Sequence, residues 1–258
     1  MIQPVCYARE VFADVRAAQG LAPVDLLLKN CRLVNVFSQE VHPADIAIRG
    51  SKIVAVRSKF EGPAAKTLHC GNRYAIPGFV QLDRSSASGS HPCASTWIVD
   101  SSAPVSASGS THAGHSRRLL ATHIRQHLAN LCICSTLEDA VAAIRSGATV
   151  FLAPGSYRVL VEMRRKGIDT SRICLSIPER DDVSLFVHAF FENSFPPARI
   201  FQMLSLNPAR HFALDHEIGS ISPARKADIL LATSLDPFEL ATVIFDGQLI
   251  LHEGRTCV

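Results

Sequence analysis

The pattern of apolar and polar positions divides the chain into three stretches. Val5, Ala8, Val11, Phe12 and Val15 recur at helical spacing, with Arg9, Glu10, Asp14 and Arg16 off that face, which predicts a helix over 5–18 ended by Gly20 and Pro23. Short β-type runs follow at Val24–Leu28, Cys31–Phe37, Ala44–Ile48 and Lys52–Val56, with tight turns expected at Lys29-Asn30 and Gly50-Ser51. Tyr74–Val80 reads as one buried strand entered through Pro77-Gly78. This opening is a strand meander rather than a βαβ series.

The pattern then fails. Residues 84–116 hold eleven serines and no leucine, with no sustained period except at Trp97–Val99. So long a structureless stretch is unusual inside a compact domain. Order resumes in alternating form. Helices are expected over Arg117–Asn130, after Ser135 as N-cap with Glu138 as its partner, over Tyr157–Lys166, Val183–Glu192 and Pro197–Ser205, and from Asn207-Pro208. Strands are expected at Thr149–Leu152 and Arg172–Ser176. The end returns to meander: Ala227–Ala232, Ala241–Phe245, the turn Asp246-Gly247 and Gln248–His252. The early and late strands could therefore pair into one small β domain outside an α/β core.

Composition narrows the functional classes. With 47% hydrophobic and 19% charged residues in 258, a sizeable core is possible. A net charge of +3, scattered along the chain, does not argue for nucleic acid. No apolar run reaches membrane-spanning length, and residues 1–20 lack a signal-peptide core. Eight cysteines, none in C-x-x-C spacing, read as buried free thiols of a reducing, cytoplasmic compartment.

Specific strings carry a resemblance. At the N-terminal side these are Val24 to Phe37 (VDLLLKNCRLVNVF), Ala44-Asp45-Ile46-Ala47-Ile48, Lys52-Ile53-Val54-Ala55-Val56 and Ala75-Ile76-Pro77-Gly78-Phe79-Val80. At the C-terminal side they are Leu206-Asn207-Pro208-Ala209-Arg210-His211-Phe212, Gly219-Ser220-Ile221-Ser222-Pro223, Lys226-Ala227-Asp228-Ile229-Leu230 and Val243-Ile244-Phe245-Asp246-Gly247. Together they resemble the amidohydrolase superfamily and are most similar to adenine deaminases, over about 24–83 and 114–252.

The resemblance implies an α/β fold: a partial (β/α) barrel of the amidohydrolase type plus a small β domain built from both termini. The implied division is 1–73 for the N-terminal helix and part of the β domain, 74–83 for the first barrel strand, 84–116 for the low-complexity segment, 117–215 for the barrel remnant and 216–258 for the rest of the β domain. It implies metal-dependent hydrolysis of adenine to hypoxanthine, with a divalent manganese, iron or zinc ion supplying hydroxide near neutral pH and an acidic residue moving its proton. The partner would be a small-molecule purine, with no nucleic acid and no membrane.

The family pattern is interrupted at its chemical positions. Phe79 to Ser86 (FVQLDRSS) lacks the family's His-x-His pair, and Arg84 would repel a cation. Gly114-His115 matches a ligand-bearing Gly-His segment. The family's Asp-His-Glu becomes Leu131-Cys132-Ile133, and its Thr-Asp-Asp-Arg becomes Ile177-Pro178-Glu179-Arg180. The resemblance therefore leaves His115 and Cys132 as metal candidates and Glu179 as the catalytic candidate. About three protein ligands are needed for a catalytic zinc, so impaired catalysis is expected. The alternatives are a non-catalytic relative with a binding or assembly role, and the product of a decayed or mispredicted gene. Of the other histidines, His123/His127 read as solvated, His112 as the second member of a His112-x-x-His115 spacing at the edge of the low-complexity segment, and His211 as a helix-end packing or capping residue. A gutted barrel would also expose strand edges, which predicts a rearranged sheet, a homo-oligomer or poor solubility.

Overall fold

A computed structural model of the chain describes residues 4–83, 93–99, 117–120, 130–153, 155–177, 183–253 and 255–256. Helix α1 (Pro4–Ala18) precedes strands β1 (Val24–Asn35), β2 (Glu40–Arg49), β3 (Lys52–Arg57), β4 (Ala64–His69), β5 (Tyr74–Pro77), β6 (Phe79–Asp83), β7 (Ala94–Val99) and β8 (Arg117–Leu120). Then come β9 (Leu131–Cys134), α2 (Leu137–Arg145), β10 (Thr149–Leu152), α3 (Tyr157–Arg165), β11 (Cys174–Leu175), α4 (Val183–Glu192), α5 (Pro197–Leu204) and α6 (Leu206–His211). Strands β12 (Ile229–Leu235), β13 (Phe238–Phe245), β14 (Gln248–His252) and β15 (Arg255–Thr256) close the order. Among the described residues no helix is long and apolar enough to cross a membrane.

The early and late strands do share one sheet. Its order is β15-β14-β13-β12-β5-β1-β2-β3, with β4 also on β1. β5 is the junction: it runs parallel to β1 through Arg32↔Tyr74 and antiparallel to β12 through Leu231↔Ala75. Alternation along β12 serves two cores. Ile229 and Leu231 join Leu28, Ile46 and Ile48 inside the sheet, while Leu230 and Ala232 face the cluster of helices.

Two expectations change here. Lys29-Asn30 is not a turn between strands. It is a bulge within β1, where the register shifts between Leu28 and Cys31. Asn30 takes φ 57°, and its N–H donates to the buried Asp45 carboxylate at 2.9 Å. The cause is a change of neighbour: the first half of β1 pairs with β4, the second with β5. Likewise, 74–83 is not one strand. Gly78 separates β5, in the large sheet, from β6, which pairs with β7.

Six short strands make two parallel sheets among the described residues, β9-β10-β11 and β6-β7-β8. Arg117–Leu120, expected as the start of a helix, is instead a strand paired with β7 at Ile98↔Leu119; residues 121–129 lie outside the described residues. The sheets meet across Val80, Ile98, Phe151 and Cys174, a cluster closed at one end by Ala209, Phe212 and Ile218. Their other faces carry Phe79, Cys134, Val150, Leu152 and Leu175 toward the helices. A buried side chain bridges the sheets: Gln81 Oε1 accepts from the Ile177 N–H at 2.9 Å. The result is an α/β molecule in which an arc of barrel strands adjoins a sheet built from both ends of the chain. The N-cap of α2 is Thr136 rather than Ser135; its hydroxyl accepts from Asp139 N–H at 3.2 Å.

Candidate functional site

In parallel α/β barrels the chemistry sits where the strands end. Here those ends are Asp83, Val99, Leu120, Cys134, Leu152 and Leu175. Strand parity decides which side chains point between the sheets. Phe151 belongs to the inner cluster and pairs with Ile133, so Ile133 points inward; it is 42% exposed. Cys132 pairs with Val150 and, half-buried, packs with it on the helix-facing core. Cys134 follows the same parity, is buried, and directs its Sγ to the Cys132 carbonyl at 3.8 Å. Burial pushes the Cys134 thiol up, with the neighbouring Cys132 and Asp139 adding to the effect, and pushes Cys174 well above the ordinary range.

Of the three residues singled out from the sequence, the structure places Cys132 on β9, turned toward α2. His115 and Glu179 lie outside the described residues, as do His112, His123 and His127. Among the described residues no group of three or more His, Cys, Asp or Glu side chains converges as a metal ion requires. At the end of β9 the residues present offer no ligand to a divalent ion: the inward position is Ile133, and Cys132 and Cys134 pack on the helix-facing core.

Several residues in the family-like strings have roles that sequence reasoning did not assign. Asn207 is buried, and its amide donates to the carbonyls of Ser171 at 2.9 Å and Ile173 at 2.7 Å, fastening α6 to the entry of β11. Asp45 accepts from Asn30 N–H and from Phe60 N–H, both at 2.9 Å. Asp228 accepts from Asp246 N–H at 3.0 Å and fixes the β13–β14 turn. Gln81 was legible only as a polar break in an apolar run. His211 matches its expectation as a packing residue, with its ring edge-on to Phe151 at 5.7 Å and to Phe212 at 4.8 Å.

Parallel strands interleaved with helices and flanked by a sheet from both ends define an α/β scaffold with an arc of barrel-type strands. Residues 103–250 match the amidohydrolase family, and the chain belongs to it. Over 133 residues it is 32% identical to an adenine deaminase of Roseobacter denitrificans, which covers 46% of this chain and 22% of that protein. A second match, to adenine deaminase 1 of Latilactobacillus sakei, is 21% identical over 355 aligned positions and covers 93% of this chain and 60% of that protein. Over a hundred positions of that alignment thus have no residue here. The chain spans about a fifth of the first relative's length. Among solved structures, a β-aspartyl dipeptidase from Fervidobacterium islandicum superimposes with a TM-score of 0.66 at 12% identity, covering 90% of this chain and 98% of that one. That likeness is one of fold. Members of the amidohydrolase family generally use a divalent metal.

Proposed function

We propose that this chain is an adenine deaminase-like amidohydrolase with impaired hydrolysis, retaining the scaffold as a purine-binding or assembly protein. One observation carries the reading: Ile133, an apolar side chain, occupies the inward, half-exposed strand-end position where the resembled family has an acid. An isoleucine neither holds a cation nor moves a proton. Cys132, which replaces the family histidine, is packed against the helix-facing core. The sequence matches to adenine deaminases support adenine as the ligand to try first.

The test is elemental analysis of the purified chain together with ammonia release from adenine and equilibrium dialysis against adenine. We expect substoichiometric manganese, iron and zinc and no turnover. Stoichiometric bound metal with ammonia release would overturn the impaired reading. In that event alanine at His115, Cys132 and Glu179 identifies the working set, since each should abolish activity and the first two should also remove the metal.

A further inference from the structure

At the N-terminal ends of β9, β10 and β11 lies an open cavity of about 400 Å³. Its lining includes Asn130, Thr149, Arg172, Asn207, Arg210 and His211. Each strand supplies this rim from its first residue or those just before it, because all three are parallel and in register. We propose that this cavity binds a small phosphate-class oxyanion between the Arg172 and Arg210 guanidiniums. The reading is independent of whether the chain deaminates adenine.

Three observations converge on that chemistry. First, two arginines line one concave wall, while no carboxylate is among the described lining residues. Second, the arginines are weakly compensated. Arg172 makes no ion pair among the described residues. Among the described residues Arg210 reaches Asp215 alone of the acids, at 3.9 Å, and lies 5.4 Å from the centre of the Phe37 ring. Asp169, the acid nearest Arg172 in sequence, feels that charge weakly and hydrogen-bonds Ser171 instead, accepting from its N–H at 2.8 Å and its Oγ–H at 2.7 Å. Third, the wall between the arginines is held in place. Asn207 ties the 171–173 segment to α6, so the elements carrying Arg172 and Arg210 are fixed to one another. A planar guanidinium offers paired donors that match an oxyanion, and two carried on elements tied to one another can close on a single anion. Thr149 and Asn130 add neutral polar groups at the rim.

The experiment is calorimetric titration of the full chain with inorganic phosphate at constant ionic strength, repeated with Arg172→Ala, Arg210→Ala and the double substitution. A saturable one-to-one isotherm is expected for the parent chain, with about tenfold weaker binding for each single variant. Both arginines are exposed, so folding should survive; melting curves confirm it. Arg172→Lys keeps the charge and removes the paired donors, so it should also weaken binding, which separates a built site from general attraction. Phosphate should raise the melting temperature of the parent chain but not of the double variant. No saturable binding up to about 10 mM phosphate, or equal binding by parent and double variant, would overturn the proposal.

Discussion

Asn207 illustrates how a family-like residue can be structural. Its amide satisfies two carbonyls at the start of a strand, in a position 5% exposed. Replacing it with alanine leaves both acceptors without that partner in a dry setting. We expect Asn207→Ala to cost about 2 kcal/mol, read from chemical denaturation. His188 gives a pH-dependent counterpart. Its Nδ1 lies 2.7 Å from Asp236 Oδ1, and Glu192 stands 3.4 Å from its Nε2. Asp236, foremost, and then Glu192 favour the protonated ring and raise its pKa above the ordinary 6.5. A raised folded-state value stabilises the fold fully below the unfolded pKa, and that stabilisation is lost as pH rises through the folded value. Asp236→Asn should therefore return the His188 titration, followed by NMR, toward 6.5. The stability gap between parent and variant should close as the solution becomes alkaline.

At the scale of elements, much was legible and the failures share a cause. Regular alternation located β2, β3, β10 and β14, and helical spacing located α1, α4 and α5, to within a few residues. Local pattern misread the places where a strand changes neighbours. The Lys29-Asn30 pair looks like a turn because Asn tolerates the left-handed region, and it does adopt φ 57°. Only the pairing of β1 with both β4 and β5 makes that residue a bulge. Pro77-Gly78 looked like the entry to one strand because the sequence does not announce that Ile76 joins an antiparallel sheet while Val80 joins a parallel one. The candidate site was legible as a set of substitutions. Parity was not, since whether Cys132 or Ile133 points inward depends on which faces the helices cover. Gln81 follows from the same logic. Its amide stands in for the ladder bonds that β6 and β11 do not share. Gln81→Leu would leave the Ile177 N–H without that acceptor, and we expect a loss of about 1–3 kcal/mol in denaturant unfolding.

At the scale of the whole molecule, the two parallel sheets form an arc joined, among the described residues, by the Gln81 bond and the apolar cluster around Phe151, with β8 and β9 as its ends. A closed barrel secures its strands on both sides. Here the stiffness comes from the adjoining sheet and helices: Phe79 stacks on Phe201 of α5 with ring centres 6.1 Å apart, and α4 packs on β13. The scaffold is thus supported from its outer side, while the contacts between the two parallel sheets among the described residues are mostly apolar.

The junction strand β5 has a further consequence. Leu230 and Ile76 meet only once residues 229–235 have been made, because β5 pairs with β1 close before it and with β12 far after it. During translation the first half of that sheet must wait, with Ile76 and Leu33 lacking their final cover, while the parallel strands emerge. Such long-range closure is slow and leaves sticky intermediates. On refolding from denaturant, closure of β5 against β12 should therefore trail formation of the β1–β2–β3 meander.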